Sequence, residues 1–274
     1  MKSQNFPEKA YSNLEFLNSK DARSIRILAE FLEPKSRFRK YNIIDTIVFF
    51  GSARLVSKYE ALKRIKDFKK NNKINSKDYS KKLKKLETLL KFSKYYEDAV
   101  ELSERLTKWS MQLPTNKKHF IICSGGGPGI MEAANKGAKK AGGFSIGLNI
   151  SIPYEQFVNK YVEKKLAFEF HYFFMRKFWF AYMAKALIVF PGGFGTLDEF
   201  MEMLTLIQTG KIKKDMKIII YDEIYWKNIL NFNALIENGM IEEKDLNLFD
   251  FCNSIDEAFE KIVSYFDLHY LNGN

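Results

Sequence analysis

The chain has 274 residues, 46% of them hydrophobic and 15% aromatic, which is enough apolar material for one sizeable core. No stretch approaches the roughly 20 uninterrupted apolar residues that cross a bilayer; the longest apolar run, near residues 168–180, is broken by Glu169, His171, Arg176 and Lys177. The formal net charge of +11 invites a nucleic-acid reading, but no DNA- or RNA-binding motif accompanies it, so neither nucleic acid nor membrane is expected as a partner.

The first residues, Met1-Lys2-Ser3-Gln4-Asn5, lack the apolar core of a signal peptide, and a cytoplasmic location is expected. Residues 1–40 read as a helical N-terminal extension. Within it Ile25, Ile27, Leu28, Phe31 and Leu32 recur at helical spacing, and Pro34 follows as a stop signal. Ile43–Phe50 has the Ile, Val and Phe content of a buried strand and runs into Gly51-Ser52-Ala53-Arg54. From Tyr59 to about Leu113 the pattern is helical, with a lysine-rich insertion near 60–93 whose charges read as a solvated face. Phe120–Cys123 reads as a strand, Ile130–Ala141 as a helix and Phe144–Ile150 as a strand. Lys165–Phe170 is a short strand candidate, Phe173–Met183 a helix and Ala186–Phe190 a strand. Leu197 to about Gln208 reads as a helix, Lys217–Tyr221 as a strand, Ile224–Glu237 as a helix and Ile255–Leu268 as a closing helix. This alternation predicts an α/β fold, a parallel sheet with helices on both faces, in a single domain over 41–274. Cys123 and Cys252 stand far apart, which indicates no disulfide framework. Cys123 ends an apolar run and reads as a small buried residue.

Two glycine-rich turns each follow an apolar strand and open a helix: Ser124-Gly125-Gly126-Gly127-Pro128-Gly129 and Pro191-Gly192-Gly193-Phe194-Gly195-Thr196. Glycine lets backbone N–H groups approach an anion with no Cβ in the way. The helix N-terminus adds unpaired donors and a partial positive charge. Together with Gly51-Ser52-Ala53, the two turns predict one phosphate-accepting cleft at the carboxyl ends of parallel strands. Common fingerprints fail. A G-x-G-x-x-G frame from Gly125 meets Ile130 where its last glycine belongs. Gly210-Lys211 is followed by Ile212 rather than Ser or Thr, and there is no G-x-S-x-G elbow. The three histidines show no metal-ligand spacing, so no metal is expected.

Thr196 stands at the expected helix start, where its hydroxyl either caps the helix or binds a phosphate oxygen. Asp198 and Glu199 follow in what reads as the first turn. Their acidity there suits the helix dipole, or one of them projects into the cleft. Arg176-Lys177 interrupts an aromatic segment. Because an unpaired buried charge is costly, the pair should face solvent or an anion-binding cleft.

These residues carry a resemblance. The run from Pro191 to Glu199 is similar to the PGGxGTxxE signature of the LOG (Lonely Guy) family, and Arg176-Lys177 resembles that family's Arg-Lys element. Gly125–Asn135 and Phe50–Arg54 resemble the longer bacterial branch. The likeness runs in order from about Ile43 to Leu246. Phe173-Phe174-Met175 stand before Arg176, where plant-like members carry Met-His-x. The resemblance implies a modified Rossmann-like fold, a homodimer or larger homo-oligomer, and a site near the dimer interface. It also implies hydrolysis of the N-glycosidic bond of a nucleoside 5'-monophosphate, AMP or an N6-modified AMP such as a cytokinin riboside monophosphate. On this reading Glu199 stabilises the oxocarbenium-like sugar and activates water, and Arg176 holds the substrate. Gly192, Gly193, Gly195, Thr196 and Lys177 serve the phosphate, with Gly126, Gly127 and Ser52 lining the same cleft. Glu132 either touches base or sugar or answers its helix dipole. No cofactor is expected. The alternative is a non-catalytic nucleotide or molybdenum-cofactor carrier, which has no need of Glu199 paired with Arg176-Lys177. A lysine decarboxylase would need a Schiff-base lysine that nothing in the sequence singles out.

Overall fold

The computed structural model of the chain describes residues 7–72, 78–151 and 157–271. Seven strands form one sheet: β1 (Thr46–Phe50), β2 (Ile121–Ser124), β3 (Ser145–Ile150), β4 (Ala167–Phe170), β5 (Ala184–Val189), β6 (Lys217–Tyr221) and β7 (Asp250–Cys252). Their order is β4-β3-β2-β1-β5-β6-β7, and every pairing is parallel. The chain winds outward from β1 to β4, returns beside β1 as β5, and winds outward again. The reversal opens a crevice between the carboxyl ends of β1 and β5, the place where open α/β sheets receive ligands.

Helices cover both faces, as a parallel sheet requires. On one face pack α4 (Tyr79–Met111), α5 (Ile130–Lys140) and α10 (Ile255–Phe266); on the other lie α2 (Arg23–Lys40), α6 (Phe173–Met183), α7 (Phe194–Gln208) and α8 (Glu223–Ile229). Successive side chains of a strand point to opposite faces. Val48 and Phe50 of β1 therefore enter the core with Trp179 and Phe200, whereas Ile47 and Phe49 enter the one with Leu102, Ala134 and Ile262. The expected architecture is the one observed: a Rossmann-like parallel sheet between helical layers, preceded by α1 (Leu14–Asn18) and α2.

Several boundaries differ from the expected ones. Pro34 does not stop α2; the helix continues to Lys40 with Pro34 buried inside it. Proline removes the N–H that would bond the carbonyl of Glu30, four residues earlier. The indole Nε1–H of Trp179 on α6 donates to that carbonyl at 2.9 Å. The Glu30 carboxylate also accepts the backbone N–H groups of His171 (2.8 Å) and Tyr172 (3.2 Å) at the start of α6, while Lys214 donates to the carbonyls of Ala181 and Tyr182 at its end. The carboxylate at the N-terminus complements the dipole of α6, and Lys214, whose burial pulls its pKa down to about 7, holds the carbonyls at the other end by hydrogen bonds.

The expected helix over Ile224–Glu237 is two, α8 and α9 (Phe232–Glu237), because Leu230 is extended and Asn231 caps the second by accepting the N–H of Ala234. Lys164–Leu166 form a 3-10 turn, so only Ala167–Phe170 is strand. Asp250–Cys252, too short to stand out as an apolar run, is a seventh strand. The lysine-rich stretch forms α3 (Lys58–Asn71) and the first half of α4, joined through residues 73–77, which lie outside the described residues. Among the described residues no helix is long and apolar enough to cross a membrane.

Candidate active site

The site is built where β1 and β5 end. The Phe190 N–H donates to the Phe50 carbonyl (2.8 Å), and the Ser52 N–H to the Pro191 carbonyl (3.0 Å), which joins the two loops side by side. They wall a cleft of about 810 Å³. α7 begins at Phe194, earlier than the periodicity suggests, and its first internal bond runs from the Leu197 N–H to the Gly193 carbonyl at 2.9 Å. The N–H groups of Phe194, Gly195 and Thr196 are therefore left without hydrogen-bond partners among the described residues, at the positive end of the helix dipole. Thr196 is buried and caps nothing; its side chain fills the space where a Cβ on Gly192 would sit. The Ile130 side chain likewise occupies the Cβ position of Gly51. Each strand-to-loop junction thus needs glycine for close packing.

Arg176 from α6 meets Glu199 from α7 in this cleft. Nη2 lies 2.5 Å from Oε1, and the two side chains are only 12% and 14% exposed. Burial pushes the Glu199 carboxyl up to about 7, against the downward pull of the Arg176 guanidinium. The Arg176 Nε is buried and has no hydrogen-bond partner among the described residues, which leaves donor capacity for an anionic or polar ligand. Lys177, one residue on and so about 100° around the helix, points elsewhere. It pairs with Asp198 (2.8 Å) and Glu202 (2.9 Å) on the flank of α7. Partial burial opposes the Lys177 charge, yet these two carboxylates hold its ammonium above the usual range. Asp198 and Glu199 lie in the second turn of α7, with no acidic residue in the first. A dipole role does not fit them, since that effect fades beyond the first turn.

The other glycine turn divides. Gly125 borders the cleft. Gly126 and Gly127 lie behind it, where the Asn159 side-chain amide donates to both their carbonyls at 2.9 and 3.0 Å. Ser124, Asn135 and Asn159 form a polar network that holds the turn. Glu132 accepts a hydrogen bond from the Tyr96 hydroxyl at 2.7 Å and borders a separate cavity of about 670 Å³ beyond the 53–55 loop. The structure therefore gathers Ser52, Gly192, Gly193, Gly195, Thr196, Arg176 and Glu199 around one cleft, and leaves Gly126, Gly127, Lys177 and Glu132 outside it. Sequence reasoning did not assign Gly125, Met131, Phe92, Phe173 and Tyr225 to the site, and they are among the residues that also line it. Phe92 and Tyr225 come from helices remote in sequence and carry no local signal. Cys123, fully buried near Glu199, has its thiol pushed well above the ordinary range by burial, as suits a packing residue.

Residues 131–262 match the family model described as "Possible lysine decarboxylase". A protein of Oryza sativa subsp. japonica described as "Probable cytokinin riboside 5'-monophosphate phosphoribohydrolase" is 28% identical over 146 residues. That match covers 52% of this chain and 62% of that protein, less than two thirds of its length. A cytokinin riboside 5'-monophosphate phosphoribohydrolase of Arabidopsis thaliana is 26% identical over 182 residues, covering 65% of this chain and 79% of its own. Among solved structures, a molybdenum cofactor binding protein from Rippkaea orientalis aligns with a TM-score of 0.48 at 17% identity, over 81% of this chain and 95% of that one. A Moco carrier protein from Chlamydomonas reinhardtii aligns with a TM-score of 0.46 at 16% identity, over 82% and 99%.

Proposed function

We propose that the chain is a member of the LOG family, a reading supported by its similarity to cytokinin riboside 5'-monophosphate phosphoribohydrolases at 26–28% identity, and that it hydrolyses the N-glycosidic bond of a nucleoside 5'-monophosphate to free base and ribose 5-phosphate. The observation that carries this reading is the Arg176–Glu199 pair, held in a cleft beside the free N–H groups of α7. The 5'-phosphate binds those N–H groups. Glu199 lies three residues beyond Thr196, about 4.5 Å further along the axis, which suits a carboxylate that acts on the sugar. As the C1'–N bond breaks, its electron pair leaves with the base, and the sugar gains oxocarbenium character that ionised Glu199 stabilises. Water adds to C1', its proton passing to the carboxylate and the departing base taking up a proton in turn. Arg176 anchors the substrate and favours the ionised form of Glu199. The apolar walls, Phe92, Met131, Ile150, Phe173 and Ile229, suit a purine. AMP or an N6-modified AMP is the proposed substrate, and a homodimer or larger assembly the proposed state.

A carrier of nucleotide or molybdenum cofactor has no use for a buried carboxylate beside the phosphate site. A pyridoxal-dependent decarboxylase needs a Schiff-base lysine, and among the described residues no lysine lines the cleft. The test is incubation of purified protein with AMP and other monophosphates, with base and ribose 5-phosphate separated by chromatography, beside Glu199→Ala. Base release that vanishes in the variant is the expected result. Absence of release from every monophosphate by the wild-type protein would overturn the reading.

A further inference from the structure

The carbonyl of Gly192 is held from outside its own loop. The Tyr225 hydroxyl, on α8, donates to it at 2.9 Å. Tyr225 is in turn fixed by Asp222, the N-cap of α8, whose carboxylate accepts the Tyr225 N–H at 2.9 Å. Asp222 has φ +72°, a left-handed conformation that a non-glycine residue holds only when its surroundings impose it. Those surroundings come from α4: the Tyr95 hydroxyl donates to the Asp222 carboxylate at 2.5 Å, and Lys94 lies 3.5 Å from it. The Tyr225 ring packs against Phe92 and Trp226. A continuous chain of contacts thus runs from α4 through Asp222 and Tyr225 to the Gly192–Gly193 peptide.

A trans peptide points its C=O and N–H in opposite directions. With the Gly192 carbonyl turned to Tyr225, the Gly193 N–H faces away from it. That N–H has no hydrogen-bond partner among the described residues, and a Cβ on Gly193 would meet nothing within 4 Å. The Thr196 side chain packs against Gly192, in the space where a Cβ would sit. We propose that Tyr225 is a positioning residue that locks the Gly192–Gly193 peptide so that the Gly193 N–H joins those of Phe194, Gly195 and Thr196 as a fourth donor to the 5'-phosphate. This inference rests on the phosphate assignment made above. It adds Tyr225, which acts on the phosphate only through the Gly192–Gly193 peptide, and it gives a role to the chain of contacts that holds Asp222 in the left-handed region at the start of α8.

The test compares wild type with Tyr225→Phe, which keeps the ring and its packing and removes only the hydroxyl. Dissociation constants are measured by calorimetry for ribose 5-phosphate and for adenosine, and KM and kcat for AMP. Affinity for ribose 5-phosphate should fall on the order of five- to tenfold, the worth of one modest hydrogen bond. KM for AMP should rise by the same factor with kcat nearly unchanged, since the phosphate is remote from the breaking bond. Adenosine, which lacks the phosphate, should bind both proteins alike. Unchanged ribose 5-phosphate affinity in the variant overturns the proposal, as does an equal loss for adenosine, which marks general damage to the fold. Wild type that binds ribose 5-phosphate yet releases no base retires the hydrolase reading alone, and the binding comparison still decides the role of Tyr225. Wild type that binds no ribose 5-phosphate at all removes both.

Discussion

Glu199 holds a carboxyl pulled two ways. Burial raises it to about 7, while the Arg176 guanidinium favours its charge. A general base is best placed when its pKa lies near the working pH. In the proposed reaction the ionised form does the work, so the sign follows directly. The rate constant kcat/KM should rise through about pH 7 and drop roughly tenfold for each unit below it. A profile flat across that range would remove Glu199 from the role. Substituting glutamine, which cannot ionise, should cut kcat by on the order of 10²–10⁴-fold and abolish the acidic limb of whatever activity remains. A variant within tenfold of wild type would mean that another group stabilises the sugar.

At the scale of elements, the placement of Arg176 depends on α6, and α6 depends on a proline in another helix. Pro34 leaves the Glu30 carbonyl of α2 without its helical partner, and Trp179 takes the vacant position. A buried acceptor that loses its donor costs about 1–3 kcal/mol. Trp179→Phe should therefore destabilise the protein by at least that amount, with a cavity cost added. In a Pro34→Ala background the restored N–H satisfies Glu30 from within α2, and the same tryptophan substitution should cost measurably less. Urea unfolding of the four proteins of this double-mutant cycle gives the coupling. Equal costs in both backgrounds would show that the proline and the indole act independently. The stop-signal reading of Pro34 failed for this reason: the carbonyl that the proline orphans, that of Glu30, finds another donor, which arrives from 149 positions away in the sequence.

Across the whole molecule, the mouth of the cleft is apolar at its rim. Phe194 is 93% exposed, Phe173 52% and Ile229 50%, and all three border the same opening. Clustered apolar side chains of this kind mark a contact surface. In the proposed homo-oligomer a second copy covers this rim and encloses the site. Light scattering behind size exclusion should give a mass at least twice that of one chain. Phe173→Glu should shift it toward the single-chain value and lower base release together. A wild-type mass equal to one chain would count against the assembly, and the rim would then be open to substrate alone.

The sequence by itself determined the fold class, the order of most elements and the two glycine turns, because each depends on neighbouring residues: short apolar runs make buried strands, and glycine before a helix makes a close turn. It also singled out Arg176 and Glu199, whose charges interrupt apolar or glycine-rich surroundings. Tertiary structure alone decided which of the candidate residues meet. The reversal of winding at β5 set the Pro191 loop beside Gly51 rather than beside Gly126. Helix phase sent Arg176 into the cleft and Lys177 out to Asp198 and Glu202. Glu132, on the far side of the 53–55 loop, went to Tyr96 and a different cavity. Tyr225 reached Gly192 from 33 positions away. Such pairings follow from sheet order and from the rotation of each helix about its axis, which local residue patterns constrain to a face but not to a partner.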